Sequence, residues 1–451
     1  MIKRLRAKGF KSWRDTGDLE LAPLTGLFGA NSSGKTSILQ LILMLKQTVE
    51  SADRKRVLHT GDDRSIVDLG TFFDLIYAHD TSNALQIGLV WQLLETLKVQ
   101  DPQKKGRTLF EIDQMEFNVK IKESGGTAAV ERFSYGFEDY DFGMRIADEG
   151  QKKIKYELIS KTFQEIRYPG RPWPLPIPVK CYGFPPEVSG YYQNLGFLSD
   201  LVYEFEGFFG RIAYLGPLRE YPKRTYTWAG EEPADVGMKG ELAASAILAA
   251  RQRGEYISPG YKRKRRTLEE RIAFWLKEMG MIHSFTLRQI ARNRKDYELR
   301  VKKSTTSPEV LITDVGFGVS QILPVLVLCY YVPEGSVILL EQPEIHLHPS
   351  VQAWLADVFI DVVKNRNVQI IVESHSEHLL RRLQRRIAEE QIKAGQTALY
   401  FCRMDNSASE IEKLDIDMFG DIKNWPRSFF GDEMGELVAK TEAGIKRQME
   451  G

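Results

Sequence analysis

The 451-residue chain is predicted to be an α/β protein built on a parallel sheet, and three observations carry that expectation. Continuous apolar runs at residues 24–28, 337–340 and 368–372 read as strands buried on both faces. Between the last two, Val351, Trp354, Leu355, Val358, Phe359, Val362 and Val363 fall on one helical stripe, which completes a β-α-β unit. From Ala84 to Ile159 the pattern alternates instead, as in Met115-Glu116-Phe117-Asn118-Val119-Lys120-Ile121-Lys122. With the turn Ser124-Gly125-Gly126 it predicts antiparallel hairpins having one solvated face.

The first element is the most informative. Gly29-Ala30-Asn31-Ser32-Ser33-Gly34-Lys35-Thr36 fits G-x-x-x-x-G-K-[ST] between a buried strand and the apolar helix that begins at Ser37. Backbone N–H groups and a helix N-terminus then converge on one anion. Lys35 is placed to reach the β- and γ-phosphates of a nucleoside triphosphate, and Thr36 to hold Mg²⁺.

Composition bounds the rest. At about 150 residues per domain the chain holds about two to four units. Net charge is +1, so binding to nucleic acid or membrane requires local patches. Cys181, Cys329 and Cys402 share no metal-ligand spacing, and so sparse a set suits a reducing cytoplasm. Residues 1–6 lack the apolar core of a signal peptide, and the longest apolar stretch, 322–332, is too short to span a bilayer. A soluble cytoplasmic protein is expected.

Further along come a proline-rich connection at 169–186, a short buried strand with its turn at 212–219, and helical spacing over 241–280. Three elements then bear on the phosphate loop. Asp314-Val315-Gly316-Phe317-Gly318-Val319-Ser320-Gln321 leads into a helix expected to begin near Ser320, a second anion site without a lysine; Pro324 is expected in its first turn. The strand 337–340 runs into Glu341-Gln342-Pro343-Glu344, acids at the C-terminal edge of a parallel sheet, where nucleotides bind. One such carboxylate can serve Mg²⁺ and another orient water. The strand 368–372 ends in Glu373-Ser374-His375, which puts His375 near the γ-phosphate or the attacking water.

Together these segments resemble ABC-type ATPases of the SMC/RecF/OLD group. More closely, they resemble compact bacterial ATPases with a small C-terminal domain of unknown function, encoded in antiphage defence systems such as Septu. The resemblance rests on Gly9-Phe10-Lys11-Ser12-Trp13, the phosphate loop, Tyr214-Leu215-Gly216-Pro217-Leu218-Arg219, residues 314–321 and 341–348, Ser374-His375-Ser376, and the tail motifs at 419–426 and 429–433. It implies an ABC-type ATPase head with an antiparallel β subdomain, a helical insertion and a small C-terminal domain. The corresponding divisions are 1–95, 96–205, 206–300, 301–398 and 399–451. It also implies ATP and Mg²⁺ as ligands and a homodimer in which each ATP lies between Lys35 of one copy and Gly318, Ser320 and Gln321 of the other. Lys11, Ser12 and Trp13 would meet ribose and base; Gly29, Asn31, Ser32, Ser33, Gly34, Lys35, Thr36 and Ser37 would hold the phosphates. Metal ligation would fall to Thr36 and Glu341, catalysis to Glu341, Gln342, Glu344 and His375. No glutamine matches the group's Q-loop; residues 68–73 occupy about its place.

One departure is chemical. Where the group usually has Asp-Glu-Pro, this chain has Glu341-Gln342-Pro343. Glutamine orients water but cannot take its proton, so slow hydrolysis is expected, with Glu344 taking part. The basic run Lys262-Arg263-Lys264-Arg265-Arg266 leaves nucleic acid open as a partner. Arg381, Arg382, Arg385 and Arg386 read as a solvated helix face balanced by Glu389 and Glu390. Arg219 and Arg224 either sense nucleotide or a partner, or pair with acids. Glu410, Glu412, Asp415 and Asp417 suggest a nuclease centre, but too little chain follows His375 for the fused domain of OLD-type relatives, and an acidic strand edge is the expected reading. The leading expectation is a dimerising ATPase that controls a separately encoded effector, nuclease or toxin. The alternatives are a RecF-like DNA-binding repair ATPase and a nucleotide-gated scaffold with negligible turnover.

Overall fold

The computed structural model describes residues 1–101, 106–148, 155–170, 174–258, 260, 264–426, 438–443 and 447. Lys262 and Arg263 of the basic run, and the tail motif at 429–433, lie outside the described residues.

A six-stranded sheet forms the middle layer, in the order Ile212–Leu215, Val337–Glu341, Gln369–Glu373, Leu24–Gly29, Thr397–Asp405, Ala408–Lys413. The first five are parallel and the last turns back antiparallel. Side chains alternate across it: Leu27, Val337 and Leu339 face one core, and Phe28, Ile338 and Leu340 the other. Burial on both faces is what the uninterrupted apolar runs encode.

The first core lies between this sheet, the helices Lys35–Glu50 and Leu198–Gly210, and an eight-stranded antiparallel sheet. That sheet joins Ile2–Phe10 to the hairpins Leu85–Gln100, Thr108–Ser124, Thr127–Phe137, Tyr140–Asp148 and Lys155–Lys161. The second core is covered by helices Ala243–Arg253, Leu268–Glu278, Phe317–Tyr331, Pro349–Arg366 and Glu377–Ala388. The chain is thus an α/β protein carrying an antiparallel β subdomain, a helical insertion and a C-terminal segment. Among the described residues no helix is long and apolar enough to cross a membrane. Cys181, Cys329 and Cys402 are buried free thiols.

The helical insertion is anchored by charge. Thr267 and Glu270 cap Leu268–Glu278 reciprocally, at 3.2 and 3.0 Å. One turn on, buried Arg271 pairs with Asp361 of Pro349–Arg366. Tyr330 donates to the same carboxylate and accepts from the Trp275 indole at 2.6 Å.

Three expectations need correction. The expected divisions all fall inside elements: 205/206 in the helix Leu198–Gly210, 300/301 in the strand Asp296–Lys302, and 95/96 and 398/399 in the strands Leu85–Gln100 and Thr397–Asp405. The last of these strands pairs with the phosphate-loop strand from Leu24 to Gly29, so the tail begins as part of the central sheet. The helix expected near Ser320 starts at Phe317, which moves Pro324 from the first turn into the interior. Ring-N substitution there removes the donor that Ser320's carbonyl would otherwise meet.

Candidate nucleotide site

The phosphate loop is shaped by two glycines that no other residue can replace. Gly29 has φ 135°, and a Cβ on it would stand 2.0 Å from the Cys402 carbonyl oxygen in the neighbouring strand. Gly34 has φ 90°, and its Cβ would meet Ser409 Oγ at 2.5 Å and the Trp13 ring at 2.9 Å. Trp13 is buried beneath the loop and donates from Nε1 to the Gly34 carbonyl at 3.0 Å. Ser409, in the C-terminal hairpin, bonds Ser12 twice: N–H to carbonyl at 2.8 Å and hydroxyl to hydroxyl at 2.7 Å. Lys11 donates to Gln40 Oε1 at 2.7 Å. Of the three residues expected near ribose and base, Trp13 therefore packs inward and Ser12 is tied to the tail.

Ala30, Asn31 and Ser32 are exposed at the mouth, while Ser33 is buried. Ser37 N–H closes the first turn onto the Gly34 carbonyl at 3.1 Å. Lys35 is buried and curls over its own loop, donating to the carbonyls of Gly29 at 3.1 Å and Ala30 at 2.6 Å. Burial lowers its pKa, and nearby Glu373, Cys402 and Glu344 act the other way.

Thr36 points along the sheet edge and donates to Glu373 Oε1 at 2.9 Å. Glu373 is 1% exposed, and its Oε2 has no hydrogen-bond partner. Burial and the like charge of Glu341, directly opposite in the strand register, push its carboxyl up to about 7. Glu341 accepts from the Tyr214 hydroxyl at 2.7 Å. Gln342 takes φ 44° and donates its N–H to the Glu373 carbonyl at 2.9 Å. Glu344 is buried and accepts from the His375 N–H at 2.6 Å; burial raises its pKa. The His375 ring interacts with the Gly29 carbonyl, and burial followed by the Lys35 charge lowers its pKa. Ser376 Oγ donates to Gln352 Oε1 at 2.7 Å, which fixes the turn after the histidine.

The structure thus gathers Lys35, Thr36, Glu341, Gln342, Glu344 and His375 at the C-terminal edges of adjacent strands. Glu373 was not singled out from the sequence, although a charge closing an apolar run is the same signal that flagged Glu341. The glycine–serine segment stands apart. Ser320 is only 7% exposed and donates to the Phe317 carbonyl at 2.7 Å, and Gln321 is buried. What faces outward at this helix start is Gly316 and Phe317, with Gly318 half-buried. The Phe317 ring contacts His346 and Tyr221.

The Thr36 hydroxyl, the unpartnered Glu373 oxygen and the adjoining Glu341 form a hard oxygen donor set. That suits Mg²⁺, which takes one or two carboxylates and keeps waters. The tail acids are engaged elsewhere: Glu410 with Arg403, Glu412 with Asn424, Asp417 with the N–H groups of Phe419 and Asp421. Among the described residues no group of three or more His, Cys, Asp or Glu could hold a metal ion. Arg224 pairs with Asp314 at 3.6 Å.

Phosphate loop, parallel sheet and acidic strand end together form a candidate nucleoside triphosphate site of the phosphate-loop type. Residues 255–380 match the family model described as AAA ATPase domain, and residues 392–439 match the one described as Protein of unknown function (DUF3696). The comparison with curated proteins finds no match. Among solved structures, the SmcHead bound to the C-winged helix domain of ScpA is similar at 12% identity, with 92% of this chain and 98% of that chain covered and a TM-score of 0.45. The SMC head domain from Thermotoga maritima is similar at 13% identity, with 92% and 99% covered and a TM-score of 0.40. The Smc head domain with an extended coiled coil, bound to the C-terminal domain of ScpA derived from Pyrococcus furiosus, gives 10%, 92%, 96% and 0.39.

Proposed function

We propose that the protein is an ATP-operated switch: it binds Mg·ATP, pairs with a second copy around the nucleotide, and hydrolyses it slowly. The observation that carries this reading is the meeting of Lys35, Thr36, Glu341, Glu373, Glu344 and His375 at one sheet edge. On binding, triphosphate oxygens would replace the loop carbonyls as partners of the Lys35 ammonium, and the loop N–H groups would take the β-phosphate. Thr36, Glu373 and Glu341 would hold Mg²⁺, which would supply positive charge against the triphosphate. Gln342 and Glu344 would orient the attacking water. Its oxygen bonds the γ-phosphorus as the bridging P–O bond breaks, ADP leaves, and the proton ends on the released phosphate. His375 lies where it can hydrogen-bond that phosphate.

Slowness follows from Gln342, which positions water without accepting its proton. Restoring a carboxylate in Gln342→Glu should raise kcat at least about tenfold, and Glu344→Gln should lower it. A wild-type rate already typical of fast ABC motors, unaltered by Gln342→Glu, would reject this account. Lys35→Ala should abolish binding of a fluorescent ATP analogue.

The switch is proposed to act on a separately encoded effector, a nuclease or toxin, in antiphage defence. The similarity of the tail to the compact defence ATPases supports that reading. Mass determination of the protein co-expressed with its genomic neighbour, with and without ATP, tests it. A stable complex lost in Lys35→Ala or on removing the tail supports it; ATPase activity driven by DNA alone would favour the repair reading instead.

A further inference from the structure

Arg219 is 8% exposed, and none of its three guanidinium nitrogens donates a hydrogen bond to any described residue. A cation so deeply buried without acceptors is costly, and natural cores rarely keep one unless something supplies the missing partners. The acids whose charges act on it, Glu341 and Glu344, bond elsewhere: Glu341 accepts from Tyr214 and Glu344 Oε1 from the His375 N–H, while Glu344 Oε2 is left without a hydrogen bond, to Arg219 or to any other described residue. Nor is the position adaptable. The turn that carries Arg219 is pinned on both sides, Gly216 N–H to the Met238 carbonyl and Glu220 N–H to the Lys239 carbonyl, each at 2.9 Å.

The place of this guanidinium in the sheet says what it awaits. Strand Ile212–Leu215 is the parallel neighbour of Val337–Glu341, so the turn after it opens on the same edge as the phosphate loop. Glu344 interacts electrostatically with both Lys35 and Arg219, so both cations lie within reach of one carboxylate's field. The geometry points to Arg219 as an intrasubunit contact to the terminal phosphate of the bound nucleoside triphosphate, the group that distinguishes a triphosphate from a diphosphate. This rests on the proposed ATP site and deepens it. Lys35 and the loop grip the portion that ATP and ADP share; a planar fork with five donors reads the portion they do not. A charge supplied in this way at the transferring phosphoryl group also stabilises its transition state.

The test compares binding of a non-hydrolysable ATP analogue and of ADP, both with Mg²⁺, to the full chain. In wild type the triphosphate should bind more tightly. Arg219→Gln should weaken the analogue on the order of 10- to 100-fold while ADP stays within about twofold. Arg219→Lys, which keeps the charge but not the fork, should retain part of the preference. Equal loss for both nucleotides, or no change for either, overturns the proposal. Wild-type protein that binds neither nucleotide would instead overturn the ATP site itself, so the two failures are distinguishable. Thermal melting without nucleotide adds a readout that a purely structural arginine would move the other way. Arg219→Met should melt at or above the wild-type temperature, and a fall of several degrees would mark Arg219 as a structural clamp and overturn its assignment to the phosphate.

Discussion

Glu373 and Gln342 together redefine the acidic edge. The carboxylate that bonds Thr36 comes from the end of Gln369–Glu373, while the position after Glu341 holds an amide. Glu373→Gln keeps an acceptor for Thr36 but removes a negative charge from the Mg²⁺ set. It should raise the Mg²⁺ concentration needed for half-maximal ATP binding by about tenfold, measured by titration or by Mn²⁺ resonance in the nucleotide complex. An unchanged metal requirement would exclude Glu373 as a ligand. At Gly29 the constraint is steric: Gly29→Ala drives a methyl into the Cys402 carbonyl at a φ only glycine adopts. It should cost about 3 kcal/mol or more and abolish nucleotide binding, read by denaturant unfolding and by the fluorescent analogue.

Among the elements, the cap of the helix Leu268–Glu278 and its anchor to Pro349–Arg366 offer a graded comparison. Thr267→Ala removes one side-chain acceptor at an exposed helix start and should cost about 1 kcal/mol. Asp361→Ala strands the buried Arg271 guanidinium and the Tyr330 hydroxyl, and should cost about 3–5 kcal/mol. Urea unfolding of the two variants ranks them. Elements were readable from sequence wherever the signal was local: the phosphate loop, the runs 337–340 and 368–372, the alternating hairpins. Strand order was not. Thr36 meets Glu373 across 337 positions of chain, and no periodicity reports that Gln369–Glu373 will lie beside Leu24–Gly29. The same gap explains Thr397–Asp405, whose buried run looks like the start of a tail until its parallel register with the loop strand is seen. The early start of Phe317–Tyr331 was masked by its glycines, which read as loop.

At the scale of the whole molecule, the proposed pairing of two copies needs a surface. Phe317 and Tyr221, whose rings touch, are 39% and 76% exposed at the glycine–serine helix start, an apolar patch beside the Asp314–Arg224 pair. Wild type should double in mass on ATP binding, measured by light scattering; Phe317→Asp should leave binding of the fluorescent ATP analogue within about twofold yet prevent that doubling. A variant that still doubles would place the contact elsewhere. Gly318, Ser320 and Gln321, proposed to meet that second copy, were also described least well by the chain's local pattern, since the Ser320 hydroxyl and Gln321 amide are buried.

The two hydrogen bonds between Ser409 and Ser12, with Gly34 wedged against both Ser409 and Trp13, make the C-terminal hairpin a bracket on the phosphate loop. A protein that grasps the tail therefore holds a lever whose short arm is the cradle itself. Tugging there would loosen the grip on phosphate, and a filled cradle would stiffen the handle in return, so that cargo and fuel report on each other without touching.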